Sequence, residues 1–233
     1  MIVSNIEIDV IKKDIKNMHL SVLPPMGKVR ISAPLNASDD AIRLFAVTKI
    51  GWIKKQIEKY ENQPRQAERE YVSGESHYIW GRRYILEIRY NNKANNVEIK
   101  GSKIFLSVRE KSTPKQRERV MNEWYRNELK KRIPVLIDEW EQIIGVKATS
   151  WGVRNMKTRW GTCNTKEKRI WINLQLAKKP VYCLEYIIVH ELVHLLEKNH
   201  TTVFVEYMDK FLPNWRITKE ELNSFIMDQY AEE

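Results

Sequence analysis

The chain of 233 residues is 42% hydrophobic and 30% charged, so it can bury a substantial core. No apolar run approaches the ~20 residues that cross a bilayer, the amino-terminal segment is too charged for a signal-peptide core, and two cysteines are too few for a disulfide scaffold. These features predict a cytoplasmic protein with no membrane association. Its net charge of +10 favours association with nucleic acid or nucleotides through a basic surface.

The first sixty residues predict extended segments followed by a helix. Residues 6–11 and 28–34 alternate apolar and polar side chains, which is typical of strands. Residues 39–61 contain no proline and are interpreted as one long helix, with Ser38 as its N-cap. This part of the chain therefore predicts a β-rich region with a single helix.

The middle of the chain predicts hairpins and then a second long helix. Residues 71–90 and 95–108 alternate around glycines, as strands joined by tight turns do. A helical pattern begins at Thr113 and continues to about Ile144, and Gly145 is expected to stop it. Pro134 is expected to break or kink this helix.

The final third predicts another hairpin and three helices. Two extended stretches, residues 149–163 and 168–176, are separated by a polar turn. A strongly apolar helix is predicted to begin near Val181, directly after Pro180. The two remaining helices are predicted at 201–211 and 218–230.

Three of the five histidines lie in the stretch HELVHLLEKNH, residues 190–200. On a helix, His190 and His194 lie one turn apart on the same face and can bind a single ion. Glu191 lies about 100° around the axis, where it misses the ion but can reach a water molecule on it. This H-E-x-x-H pattern is that of two zinc ligands and a general base on one helix, and its apolar surroundings strengthen the hypothesis because buried polar groups are costly unless they are paired or bind metal.

A catalytic zinc ion needs a third protein ligand and one position open for water. His200 is the leading candidate, but a continuous helix would carry it about 15 Å from His190. The helix is therefore expected to end at residues 198–199, with the asparagine in the left-handed conformation and Thr201 capping the next helix. Glu197 is the rival ligand, although three ligands on one straight helix would be geometrically strained.

Residues 157–204 resemble the YgjP-like metal-dependent hydrolases. Their hallmarks are an R-W-G-[ST]-C block, an I-x-L-N strand, and V-H-E-L-x-H followed by N-H-[ST]-x-x-F. The matching residues are 159–163, 170–173, 190–194 and 199–204. Two departures, Ile172 in place of leucine and Val205 in place of tryptophan, affect no expected ligand, and the resemblance is strong over residues 149–213.

The resemblance implies a zincin-type metallopeptidase with Zn²⁺ held by His190, His194 and His200. Glu191 is then the general base that accepts a proton from zinc-activated water. The expected substrate is a peptide or protein. Zincins commonly lay an extended substrate against an edge strand, and residues 168–174 are the strand expected to serve that purpose.

The fold class expected from these patterns is α+β. Residues 1–110 form a β-rich amino-terminal region with one long helix, and residues 111–233 form a zincin-like, largely helical domain. The second domain is expected to contain a small sheet and the active-site helix.

Four further residues near the motif have competing interpretations. Arg159 and Asn173 are candidate substrate or transition-state contacts, and each is equally well explained by a structural role, Arg159 as a salt-bridge donor and Asn173 as a structural hydrogen-bonding group. Cys163 is interpreted as a packed thiol, since a fourth protein ligand would close the zinc site. Cys183 is also interpreted as packed.

Two alternative functions stay open beside the peptidase. One is a nucleotide pyrophosphatase acting on UTP-type substrates, an activity that has been attached to the family name; the sequence lacks a glycine-rich phosphate loop and a carboxylate cluster for magnesium. The other is a non-catalytic, zinc-containing module associated with nucleic acid. Glu191→Gln separates these hypotheses because it abolishes hydrolysis and spares binding.

Overall fold

The computed structural model describes residues 1–23, 27–61, 69–91 and 94–224. The chain divides into two compact units, one taking in Met1–Gln66 and the other Ala67–Met227. The architecture is mixed α+β, with a β-rich amino-terminal part and helices towards the carboxyl terminus, as the sequence predicts. Within the described ranges no helix is both long and apolar enough to span a bilayer.

The boundary between the compact units lies at residue 66, whereas the sequence predicts a domain boundary at 110. The reason is packing: the strands that precede residue 110 share one hydrophobic core with the long helix that follows them. Leu86 and Leu106 belong to the same buried cluster as Met121. The second β segment is therefore part of the larger unit.

The first unit consists of a four-stranded sheet and two helices. Its elements are β1 (Ile2–Val3), β2 (Ile6–Lys13), β3 (His19–Leu23), β4 (Lys28–Pro34), α1 (Asp39–Thr48) and α2 (Ile50–Glu61). The strand order is β1-β2-β4-β3, with β2 and β4 parallel and the other pairs antiparallel. The strand predictions are confirmed here.

The single helix predicted over residues 39–61 is wrong, because the chain interrupts it at Lys49. That residue leaves the helical conformation at φ −106° and ψ 5°, and its N–H donates to the carbonyl groups of Ala46 and Val47. At the other end of α1, the Ser38 hydroxyl accepts from the Ala41 N–H at 3.2 Å, as predicted for an N-cap.

The second unit begins with another four-stranded sheet. Its strands are β5 (Ser76–Ile79), β6 (Arg82–Tyr90), β7 (Asn96–Lys100) and β8 (Lys103–Val108). The order β5-β6-β8-β7, with β6 and β8 parallel, repeats the order and strand directions of the first sheet. The sequence shows no repeat, so the likeness is one of topology.

The β5–β6 hairpin has a two-residue turn that contacts a later part of the chain. Trp80 and Gly81 both have positive φ, 51° and 79°, as a tight primed turn requires. The Trp80 N–H donates to the Ala177 carbonyl at 2.8 Å. A Cβ on Gly81 would lie 2.8 Å from the ring of Pro180. The hairpin tip therefore supports the segment in which the histidine helix begins.

Helix α3 (Pro114–Ile144) follows, and its ends are those predicted. Thr113 and Gln116 form a reciprocal capping box, and Gly145 ends the helix in the left-handed conformation at φ 78°. Contrary to one expectation, Pro134 does not break the helix. Buried side chains on either side of Pro134 hold both halves against the core, which offsets the missing hydrogen bond. These side chains are Leu129, Ile133 and Ile137.

The rest of the second unit is a three-stranded sheet and a set of helices. The elements are β9 (Ser150–Arg154), β10 (Gly161–Asn164), β11 (Arg169–Asn173), a 3-10 helix (Leu174–Lys178), α4 (Val181–Val193), α5 (Thr202–Phe211) and α6 (Trp215–Ser224). The hairpin predicted in this part is confirmed as the antiparallel pair β10–β11. The last helix begins at Trp215, earlier than predicted, and residues 225–230 of that prediction lie outside the described residues.

Strand β11 is not an edge strand. It lies between β10 and β9 and pairs with both, so its main-chain groups are already used. The prediction that residues 168–174 receive an extended substrate is therefore wrong. Among the described residues, the strand with a free edge beside the histidine helix is β10.

Candidate metal centre

Helix α4 places His190 and Glu191 in a largely apolar environment. Most of its side chains are buried, including those immediately before His190 and after Glu191. The helix ends earlier than predicted, at Val193 rather than at residues 198–199. His194 is its C-cap at φ −61°, and tight hydrogen bonds between residues three apart complete the last turn. Asn199 does not take the left-handed conformation.

The chain then reverses and brings the third histidine back to the first two. One ring nitrogen from each of His190, His194 and His200 lies within 4.8 Å of the other two. The Nε2 atoms of His190 and His200 are 3.0 Å apart. Two nitrogens bound to one tetrahedral zinc ion at ~2.0–2.1 Å are about 3.3 Å apart, so the spacing is close to that of a shared ion.

The turn between the two helices orients the imidazoles. The ring N–H at Nδ1 of His194 donates to the Glu197 carbonyl at 3.2 Å, which leaves its Nε2 lone pair for a ligand. The Glu197 carboxylate accepts from the Asn199 N–H at 3.1 Å. Thr201 then caps α5, as predicted, by accepting from Phe204 N–H at 3.4 Å. Glu197, the rival ligand, thus helps to close the turn and does not belong to the histidine group.

An aromatic side chain that sequence reasoning missed supports all three imidazoles. The ring of Phe204 lies 5.0 Å from that of His190 and 4.7 Å from those of His194 and His200, centroid to centroid. Phe204 is only 2% exposed, so its position is set by the core. Phe204 is the final residue of the N-H-[ST]-x-x-F motif, which was its signal in the sequence, but no contact with the histidines was predicted for it. Tyr186 adds an edge contact to His190.

The surroundings favour the neutral form of His190 and His194. Burial, with a smaller contribution from the neighbouring His194 and His200, lowers the pKa of His190 to about 3. Burial also lowers the pKa of His194. The Nδ1 atom of His190 is buried and has no hydrogen-bond partner in the described structure. Three imidazole nitrogens that converge on one place are a donor set suited to a divalent ion such as Zn²⁺.

Glu191 is held against the backbone of β10. A Cβ added to Gly161 would lie 2.6 Å from the Glu191 Oε1 atom and 2.7 Å from Ile187. Glu191 is 4% exposed, and burial raises the pKa of its carboxyl group to about 8, although the nearby Arg159 charge acts to lower it. Gly161 was not singled out from the sequence, where its only signal is the W-G-T-C block. Any larger residue at this position would force the side chain of Glu191 or Ile187 to shift.

A cleft of about 540 Å³ opens beside these groups. Its lining residues are Arg159, Trp160, Gly161, Thr162, Cys163, Thr165, Ile187, His190, Glu191, His194, Lys198 and His200. The cleft thus joins the histidine group, the carboxylate and the free edge of β10. The exposed side chain of Arg159 adds a positive charge to its wall.

The structure does not bring Asn173 into this cleft. Its side chain is fully buried and donates to the carbonyl groups of Met156 and Arg159 at 2.8 and 2.7 Å. Its Oδ1 atom accepts from the Gln175 N–H at 3.1 Å. Asn173 therefore holds the loop that carries Arg159, which is the structural interpretation.

The two cysteines lie outside the histidine group. Cys163 lines the cleft, and burial raises the pKa of its thiol to about 11. Cys183 is fully buried in α4, and burial raises the pKa of its thiol to about 12. Both are free thiols in the structure, as the sequence predicts.

Comparison with known proteins places the chain in a family. Two solved structures are similar over 39% of this chain: the metallopeptidase zymogens of abylysin from Pyrococcus abyssi (19% identity, 90% of that chain, TM-score 0.37) and jannalysin from Methanocaldococcus jannaschii (20% identity, 93% of that chain, TM-score 0.36). The search of curated proteins found no match. A family model described as "YgjP-like, metallopeptidase domain" matches residues 16–225, and the protein therefore belongs to the YgjP-like family of metallopeptidase domains.

Proposed function

We propose that the protein is a zinc-dependent peptidase in which His190, His194 and His200 bind the ion and Glu191 is the general base. The observation that carries this proposal is the convergence of three imidazole nitrogens within 4.8 Å beside a buried carboxylate in the same cleft. The family supplies the class of reaction, metal-dependent hydrolysis of peptides. The proximity of the three imidazoles and Glu191 in one cleft supports the assignment of these residues.

Each residue has a distinct part in the proposed reaction. A zinc ion held by His190, His194 and His200 would supply Lewis acidity to activate water and polarise the scissile carbonyl. Glu191 accepts the proton from the attacking water and then delivers it to the leaving amine. Gly161 keeps the carboxylate close to the strand, because a larger residue would displace it. Arg159 places a positive charge beside the carbonyl oxygen as negative charge develops there.

We further propose that β10 binds the substrate main chain. It borders the cleft, and in the described structure it pairs only with β11. An extended peptide can add to this edge through backbone hydrogen bonds, which make little demand on its side chains. Such pairing would present one peptide bond to the metal site.

The proposal is tested by elemental analysis and hydrolysis assays on purified parent protein and Glu191→Gln. We expect about one zinc per chain in both and cleavage of unstructured peptides by the parent. The substitution should reduce the cleavage rate by about 10²- to 10⁴-fold without loss of metal. Stoichiometric metal with no cleavage of a diverse peptide library would contradict the proposal.

The nucleotide alternative is tested in the same assays by supplying UTP and measuring pyrophosphate release. Among the described residues, the three histidines are the one group of side chains suited to a metal, and no carboxylate cluster accompanies it to hold a magnesium–triphosphate complex. We therefore expect no Glu191-dependent pyrophosphate release. DNA binding that survives Glu191→Gln, without hydrolysis in the parent, would favour the non-catalytic module.

A further inference from the structure

A second cleft lies away from the histidine group, between α3 and the edge strand β7. Its main part is about 750 Å³, and a neighbouring part of about 580 Å³ shares Val97, Trp124 and Asn127 with it. On the helix side its wall runs from Gln116 to Lys131, about 22 Å of helix at ~1.5 Å per residue. We name this continuous feature the α3–β7 groove.

One wall of the groove is an open sheet edge. Strand β7 ends the order β5-β6-β8-β7 and pairs only with β8 among the described residues. Alternate N–H and C=O groups of an edge strand point away from the sheet and can pair with another strand. At ~3.3 Å per residue, an added strand of about seven residues would match the length of the groove.

The floor of the groove is apolar. A strand added beside β7 would direct every second side chain towards this apolar surface. Val97 and Trp124 are half-buried, and Ile99 is 40% exposed. Val97 and Ile99 pair with Leu106 and Ile104, two core residues, so all four lie on the helix-facing side of the sheet. A strand added beside β7 would be the fifth strand of this sheet, and its apolar side chains would extend the apolar helix-facing surface.

The corresponding edge strand of the first sheet contains a buried side chain, unlike β7. Strand β3 occupies the same position in that sheet as β7 does in the second. Val22 of β3 is buried, with 8% exposure, whereas no side chain of β7 is buried.

The charges around the groove favour an acidic occupant. Arg109, Lys111 and Arg119 line one end, are exposed, and form no ion pair within the described structure. Glu123 is the one carboxylate in that part of the lining, and it is paired with Arg126 at 2.6 Å. These three cations are therefore available to carboxylates of a partner.

Carboxylates at the other end of the groove already have partners in the chain. Glu98 pairs with Lys100 at 3.1 Å, and Glu128 pairs with Lys131 at 2.5 Å. The groove therefore has a polarity, with open positive charge at one end and an approximately neutral apolar stretch at the other. An occupant with acidic residues at one end and alternating apolar residues after them matches this order.

We propose that the α3–β7 groove binds an extended acidic segment of a partner protein, which adds to the sheet as a strand beside β7. Polypeptide is favoured over nucleic acid because the open strand edge recognises main-chain amides, and because one half-buried tryptophan offers no row of stacking surfaces for bases. The binding is independent of the metal site.

The test uses the full chain and a fluorescent seven-residue peptide with three acidic residues followed by alternating valine and threonine. Fluorescence anisotropy should show saturable binding that weakens with added salt. The double variant Arg109→Glu/Arg119→Glu should bind about tenfold more weakly or worse. The matched control Lys54→Glu/Lys55→Glu, which makes the same charge change on exposed residues of α2, should bind as the parent does.

Hydrogen exchange then distinguishes strand addition from attraction between charges alone. Bound peptide should slow exchange of amides in residues 96–100, and a peptide with lysines in place of the acids should neither bind nor protect them. Equal loss of binding in both double variants, or binding without protection of β7, would overturn the proposal. Displacement of the peptide by a single-stranded oligonucleotide that leaves β7 unprotected would identify the groove as a nucleic-acid site instead.

Discussion

The two clefts of the second unit differ in how firmly their walls are held. In the cleft beside the three histidines, Phe204 contacts all three imidazoles, Glu191 is 4% exposed, and a Cβ on Gly161 would lie 2.6 Å from the Glu191 carboxylate. In the α3–β7 groove, the basic side chains are exposed and one wall is an unpaired strand edge. Rigid placement suits chemistry, where small displacements are costly, whereas an open edge suits a partner that completes the wall.

The largest effect is expected from removing a ligand in the rigid cleft. His200→Ala should abolish stoichiometric metal binding and hydrolysis, because two imidazoles hold zinc far less tightly than three. Elemental analysis after dialysis measures the loss. The matched control is Glu197→Ala, which removes the hydrogen bond to Asn199 and leaves the carbonyl that orients His194. Metal retained by His200→Ala and lost by Glu197→Ala would reverse the assignment of the third ligand.

The next largest effect is expected from a substitution that displaces the carboxylate of Glu191, the proposed general base. Gly161→Ala should leave metal content unchanged and lower kcat by about 10- to 100-fold, since its Cβ would meet Glu191 at 2.6 Å and push the carboxylate aside. Steady-state kinetics measure the change. Gly51→Ala is the control, because no atom lies within 4 Å of its Cβ position in α2. Unchanged kcat in Gly161→Ala would show that the cleft tolerates displacement of the base.

A smaller effect is expected from replacing Phe204, the apolar side chain that packs against the imidazoles. Phe204→Leu should lower the free energy of unfolding by about 1 kcal/mol and weaken zinc binding severalfold, because leucine cannot contact all three imidazoles. Denaturation and competition with a chelator measure the two quantities. Phe211→Leu, at the end of the same helix, should destabilise α5 without changing zinc affinity. Equal zinc affinity in parent and Phe204→Leu would mean that the turn alone orients the rings.

The smallest effect on peptide hydrolysis is expected from substitutions in the α3–β7 groove. Arg109→Glu/Arg119→Glu should change kcat/KM for a short neutral peptide by less than about twofold, because both residues line only the groove. The peptide assay measures it beside the parent. A loss as large as that of Gly161→Ala would show that the two clefts act as one site.

The parts of the molecule that sequence could predict depend on local chemistry. The caps at Ser38 and Thr201 and the stop at Gly145 follow from side chains a few residues apart, and all three are confirmed. The spacing of His190 and His194 likewise places both on one helix face. These features need no knowledge of the rest of the fold.

The parts that sequence could not predict depend on contacts between distant segments. The parallel pairing of β9 with β11 makes β11 central, and nothing within either strand encodes it. The early end of α4 reflects the turn that returns His200 to the site. The contact between Gly161 and Glu191 joins a strand to a helix, so the need for glycine appears only when both are in place.

The turn at Trp80 and Gly81 has a consequence for how the protein folds. Its hydrogen bond to Ala177 and its contact with Pro180 join a hairpin to a segment far later in the chain. Closing so long a loop costs conformational entropy that a local helix does not require, and contacts of this kind slow folding. We expect α4 to form as a helix early but to take its final position late, so that the nascent chain acquires its metal-binding geometry only after the hairpin has docked.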